Sequence, residues 1–549
     1  MTLGADVTLT GGTVTFGAAV NGARALMVTG NAAFNGEVGS ATALSGLSVS
    51  GTTTLGASVR TTGLQTYTGA VTLGADATLT GSAVHLDSTV NGAAALTIAG
   101  DAVLGGAVGG VTRLGSLSVS GTTSLAANVS TTGAQTYTGG MTLTGSRTLA
   151  GSGLSLGSVD LGSATLTLTE AGAGSISGTV SGAGGLTVSG AGTLTLLGNN
   201  TYSGATVVSN GVLKVGSNTA LGTSSGDTTI ASGGTIDLLG VNVVGELLNL
   251  NGGTLKDATS SWSGNIVLGA SSTIDVGAGD TLTLSGVVSG AGFGITKTGA
   301  GSLVLTNTST YTGDTTIAAG VLQIGEGGGT GLLSSSTAIT NNASLVINRS
   351  GAATMSNVIS GSGSVTKRGT GSVTLSGANT YTGGTTVSEG VFTAGHATAF
   401  GTAQVTVADG ASLNLNGGAL ANALTITGAG YGNAGTVFNG SNSVATAAGA
   451  ITLTGDATIK NQGGLTLSGA VNGAYALTLT PTNSTPNLVT LSGPVGGATP
   501  LSSITANGPV SLGANITTTG SQTYNGAVTL ANTPITLTTT NSEIGRAHV

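Results

Sequence analysis

The chain has no cysteine, six prolines in 549 residues, a single tryptophan, and only 6% charged side chains. Each scarcity excludes something. Without cysteine there is no disulfide framework and no thiolate metal site, so an exported fold must be held by packing alone. Lys and Arg number 12 against 19 Asp and Glu, a net charge of −7 spread thinly along the sequence. That leaves no basic stripe for nucleic acid or anionic lipid. No apolar run approaches the ~18–20 residues that a membrane-spanning helix needs. The opening MTLGADVTLTGG has no basic segment followed by an apolar one, so no signal peptide is read there.

Glycine (101 residues) and β-branched side chains are abundant, and 39% of residues are hydrophobic. A disordered chain lacks such regular apolar alternation. The regularity centres on 185–216, GLTVSGAGTLTLLGNNTYSGATVVSNGVLKVG, which recurs in stretches ending at Gly325 and Gly395. With Tyr202, Tyr311 and Tyr381 as common origins, apolar residues keep their columns. Leu194 and Leu196 match Leu303 and Leu305, and Val373 and Leu375; Leu213 and Val215 match Leu322 and Ile324, and Phe392 and Ala394. Thr, Ser, Asn and Gly fill the positions between. A period of two broken by Gly-Ala-Gly or Asn-Thr-Tyr-Thr-Gly predicts short strands joined by turns. So short a unit cannot bury its own apolar face, and copies must stack.

The pattern G-x-G-(S/T)-L-x-L-(S/T)-G-x-N-T-Y-(S/T)-G-x-T-x-V…G-x-L resembles the autotransporter-associated β-strand repeat of secreted bacterial passenger regions. With the spacer SWSGNIVLGASSTIDVGAGDTLTLSGVVSGAG, the resemblance covers roughly the middle half of the chain. It implies an all-β, right-handed parallel β-helix of the single-stranded, pectin-lyase-like kind, exposed outside a bacterium. Such a coil pairs every strand with the rungs on either side and leaves open edges only at its ends. At the 20–25 residues per rung that β-helices show, the chain makes on the order of 25 rungs.

A second repeat family flanks this middle. Met1–Asp6 recurs at Val71–Asp76, VNGARALMVTG at 20–30 recurs at 90–100, and TTGLQTYTG at 61–69 recurs at 131–139, each offset by 70. The predicted organisation is therefore two 70-residue solenoid repeats at 1–150, about three rungs each, and the autotransporter-like repeats with spacers at 151–440. A third copy of the first family follows at 441–542. In that copy the Pro-bearing PTNSTPNLV near 481–489 accommodates six extra residues and is expected to protrude as a loop. Residues 543–549 fit no repeat and read as a non-native tail; Met1 occupies a position that holds Val in the next copy. Both ends thus read as those of a fragment.

The search for chemistry assigns no catalytic residue, no metal ligand and no cofactor. Asp275 with Asp280, and Asp227, Asp237 and Glu246 along one spacer, are the nearest approaches to paired carboxylates, and no basic partner is close in sequence. His85, His396 and His548 are too far apart for ligand spacing. GEGGGTG at 325–331 lacks the Asp of a calcium repeat and the helix of a phosphate loop, and reads as a loop. The Lys367–Arg368 pair is expected on a solvated face. Trp262 is expected to pack or cap, against the alternative of stacking on a sugar. The three tyrosines are expected to be structural corners rather than an exposed aromatic column. TLTLTE at 165–170 is expected to turn its threonines outward without forming an ice-binding face.

The function that follows is a non-catalytic extracellular passenger scaffold acting in adhesion or cell–cell aggregation. Its partners are a host or neighbouring cell surface, glycans, or further copies of itself, and not nucleic acid. The alternatives are a β-helix polysaccharide lyase or hydrolase, and a stalk presenting a separate tip domain. The resemblance also implies a translocating outer-membrane β-barrel, which no stretch of this sequence matches; autotransporter and two-partner secretion both stay open.

Overall fold

The computed structural model describes residues 1–482 and 487–541. Most of the proline-bearing insertion's tip, the 543–549 tail and His548 lie outside the described residues. The chain divides into two compact units, Met1–Ser272 and Thr273–Val549. Each is a stack of parallel β-strands, and the two together make about 26 turns of β-solenoid. Residues 419–430, ALANALTITGAG, form the strands Ala419–Leu420 and Leu424–Gly428.

Unit 1 winds around three sheet faces. On the first, Val7–Thr10 pairs with the strand at 26–29, and the column continues through Val49, Tyr67, Leu86 and Leu104. On the second, Phe16, Phe34, Leu55 and Leu73 stack in register, and Val71 on the last of these strands pairs with Val90, from which the face leads through Val108 and Val129 to Leu149, Leu168, Val188 and Val208. On the third, Val59, Leu79, Ile98, Val119, Tyr137, Leu156, Ile176, Leu196 and Val215 stack in register. Every column residue named singly here is buried; on the paired strands at 7–10 and 26–29, Leu26 and Val28 are buried and Met27 is exposed. Alternation explains the rest: Thr and Ser at intervening positions point outward, where a β-branched or hydroxyl residue suits the strand and meets water.

The 70-residue repeat is not a whole number of turns. Val28, Val49, Tyr67 and Leu86 mark three turns on the first face, yet the copy of Val28 is Ile98, two faces further on. About three rungs was the expectation. Turns here are only 18 to 21 residues long, shorter than the 20–25 assumed. Equivalent motifs therefore face different directions in successive copies.

Unit 2 follows the same logic. One column runs Leu282, Leu303, Leu322, Leu345, Val365, Thr385, Val405, Leu424 and Ile451. Another joins Met355, Leu375 and Ala394.

Two recurring motifs fix the corners. In Val-Asn-Gly, the Asn Oδ1 accepts two backbone N–H groups from the next turn: Ala41 and Thr42 at Asn21, Val111 and Thr112 at Asn91, Ala498 and Thr499 at Asn472. The glycine that follows has φ of 129°, 135° and 135° at Gly22, Gly92 and Gly473. A Cβ there would meet the carbonyl oxygen of Leu3, Leu73 and Leu453 respectively. Gly92→Ala is accordingly expected to cost on the order of 2–4 kcal/mol, adding left-side backbone strain to overpacking. Urea unfolding followed by circular dichroism measures it.

In Gln-Thr-Tyr, the tyrosine hydroxyl donates to the glutamine Oε1, at 2.9 Å for Tyr67, 3.0 Å for Tyr137 and 3.1 Å for Tyr524. The glutamine Nε2 donates across to the next turn, to the carbonyls of Thr80, Ala150 and Thr538. All six side chains are buried, so this polar pair is satisfied inside an apolar column rather than left at a cost.

Candidate functional surface

Outward positions on the third face of unit 1 form a continuous line of hydroxyls. Register links Thr78, Thr97, Ser118, Thr136, Ser155, Ser175 and Thr195 in turn. The line then becomes ionic, through Lys214, Asp237 and Lys256. Lys214 Nζ lies 4.0 Å from Asp237 Oδ2, so stacking supplies the basic neighbour that sequence proximity did not. A hollow of ≈ 370 Å³ opens over Thr136, Ser155 and Ser175, floored in part by Gly153 and Gly174. A second, ≈ 430 Å³, lies on the first face, where the exposed Met27 and Leu64 sit beside Asp6, Ser48 and Thr66.

Of the acidic candidates in unit 1, Asp227 lies close enough to Glu246 for their like charges to interact. Asp237 belongs to that outward line, whereas Glu246 is 3% exposed and its Oε1 accepts a 2.7 Å bond from Thr228 Oγ1. Burial, with the Asp227 charge adding a little, pushes its carboxyl up to about 7. In unit 2, Asp275 Oδ1 is engaged by Thr298 Oγ1 at 2.9 Å. His85 is half-buried in an outward position between Thr66 and Val103. His396 is exposed and pairs its Nδ1 with Thr398.

The aromatic candidates are structural. Tyr202, Tyr311 and Tyr381 are fully buried, each hydroxyl 2.5–2.6 Å from the Oγ1 of Thr206, Thr315 or Thr385. Burial raises all three phenols above their ordinary range. Trp262 is buried too, and its Nε1 donates to the Glu246 carbonyl at 2.8 Å. The asparagine two places before the tyrosine links turns on either side: Asn200 accepts from Val180 N and donates to Ala220 O, and Asn379 does the same with Ile359 and Ala399.

Lys367 is not on a solvated face. It points inward between Ile347 and Val387, completely buried, and its ammonium donates to the carbonyls of Arg368, Gly369 and Glu389. Lys297 repeats the arrangement with Thr298, Gly299 and Ala319. The stem fills an aliphatic position while the head reaches backbone oxygens at the corner, which resolves the conflict between burial and charge. Arg368, one residue on, is the exposed member of the pair.

Arg349 and Glu170 are further buried charged groups. Arg349, 5% exposed, donates to the carbonyls of Gly329 and Gly331 and pins the 325–331 glycine loop. Glu170, 1% exposed, points inward at the end of the strand Leu166–Glu170, and neither carboxylate oxygen has a hydrogen-bond partner. Burial pushes it up to about 7.

Three stretches, 186–215, 295–324 and 365–394, match the family described as Passenger-associated-transport-repeat. They coincide with the three tyrosine-centred repeats, and the chain is a β-solenoid protein carrying this passenger repeat. Over an alignment 407 positions long that covers 60% of the chain, it is also 30% identical to the adhesin BmaC autotransporter of Brucella suis biovar 1 (strain 1330). The chain spans 11% of the length of that curated relative. No solved structure matches it significantly.

Proposed function

We propose that this chain is a displayed, non-catalytic scaffold of a bacterial surface or secreted passenger, working in adhesion or cell–cell aggregation. The observation that carries the reading is the similarity to an adhesin autotransporter over 60% of the chain. The geometry supports it: Lys214, Asp237 and Lys256 continue the hydroxyl line, while Glu170, Glu246, Lys297 and Lys367 are spent on the interior of the coil. Many weak contacts along such a repeating face sum through multivalency. The test is to display the full chain on a non-adherent, non-aggregating bacterium and score settling and attachment to epithelial cells and glycan-coated surfaces. Gain of either property supports the reading. Neither property, with display verified by antibody, overturns it.

A further inference from the structure

We propose that unit 1 contains an acid-closed latch. Its turns around Glu170 and Glu246 hold together when these two buried carboxyls are protonated and loosen when they ionise. The geometry comes first. Glu170 shares the inward parity of Leu166 and Leu168, so its side chain enters the core column between the turns of Leu149 and Val188. Both of its oxygens are buried and unpartnered. Such a carboxylate has lost water without gaining a donor, whereas a neutral carboxylic acid tolerates the same place.

The charged groups around it are few. On the strand paired before it, Arg147–Gly151, the ionisable group is Arg147, whose register partner is Leu166 at the opposite end of the glutamate's strand. On the following turn, residues 186–192 contain none. Glu246 is faced by Thr228, which donates one hydrogen bond, by Tyr202, and by the like charge of Asp227. The turn after it contributes Trp262, bonded to the Glu246 carbonyl rather than to its carboxyl. The Thr228 hydroxyl offsets part of the Glu246 charge and the backbone N–H of Glu170 a little of the charge there, but burial outweighs both.

The sign follows from linkage. Both carboxyls rise from 4.5 to about 7 in the folded chain. Between those values the folded state holds more protons than the unfolded one, so stability is full below about 4.5, falls as pH climbs toward 7, and levels off above. Each carboxyl raises the unfolding constant by on the order of 100-fold across that window. Asp101, held below its usual range by the Thr122 N–H, works in the opposite direction and is common to every variant.

The experiment compares the full chain with Glu170→Gln, Glu246→Gln and the double variant at pH 5 and pH 8. Its readouts are thermal unfolding and hydrogen exchange corrected for intrinsic rates. The wild type is expected to melt several degrees lower at pH 8, with exchange rising selectively at 166–170 and 244–250 and not at 95–104. Each single variant is expected to narrow the gap and the double variant to remove most of it. A gap that survives in the double variant, or a wild type without selective loosening, overturns the proposal. Should a glutamine variant fail to fold, wild-type exchange decides alone.

Discussion

A Trp262→Ala chain is expected to lose about 3–5 kcal/mol of unit 1 stability, the range for deleting a fully buried aromatic side chain. The site explains why the loss falls at the upper end of single substitutions. Trp262 is wholly buried, ends the strand Ser260–Trp262, and hydrogen-bonds the backbone at Glu246. Deletion opens a cavity and strands a buried carbonyl together. Trp262→Phe separates the two terms, keeping most of the volume and costing about 1–2 kcal/mol for the lost bond. Because turns of a solenoid contact only their neighbours, the loss is read in hydrogen exchange of residues 240–270 as well as in the unfolding midpoint. As the sole tryptophan, it also gives the wild type a blue-shifted fluorescence specific to this turn.

Lys367→Met is expected to destabilise unit 2 by roughly 2–3 kcal/mol at pH 7. Methionine keeps the stem's volume, so the change isolates the ammonium. Removing it leaves the carbonyls of Gly369 and Glu389 without this donor, while that of Arg368 keeps the Arg349 N–H at 3.3 Å, and unpaired buried acceptors cost about 1–3 kcal/mol each. Relief of the buried charge offsets part of that sum. The pH dependence distinguishes the two terms. Burial lowers the Lys367 ammonium from 10.5 to about 8, with the Glu389 charge pulling the other way. A lysine whose folded value is depressed penalises folding below about 8, and the penalty fades as pH rises from there to 10.5. Wild-type stability is therefore expected to gain across that window relative to Lys367→Met. Parallel urea titrations at pH 7.5 and 10 measure the difference. A variant as stable as the wild type at both would mean the ammonium does not hold this corner.

The solenoid was legible because its columns are periodic in sequence: Leu194 and Leu196, or Leu303 and Leu305, announce inward positions without any structure. The buried charges obey the same rule. Glu170 follows Leu166 and Leu168 at a spacing of two, and Lys367 follows Val365, so parity alone places both inside. Residue type argued for the surface, and the geometry of the strand prevailed. Other features had no local signal. The line from Thr78 to Thr195 joins residues 18 to 21 apart, and its members depend on turn length. The 70-residue period equally conceals a turn count that is not integral, since the copy at Ile98 leaves the face of Val28. The Gln-Thr-Tyr motif was visible as a repeat, but its glutamine Nε2 bond crosses to a neighbouring turn and required the fold.

The central claim is a parallel coil in which successive turns lie in the stated register, and the absence of native cysteine allows it to be tested directly. Neighbouring parallel strands bring paired Cα atoms to about 4.8 Å, within the span a disulfide bridges. Ser118→Cys with Thr136→Cys, an outward pair one turn apart, should therefore close a disulfide under mild oxidation, seen as a mobility shift reversed by reductant. Ser118→Cys with Thr142→Cys, on different faces, should stay reduced. The opposite outcome would contradict the coil.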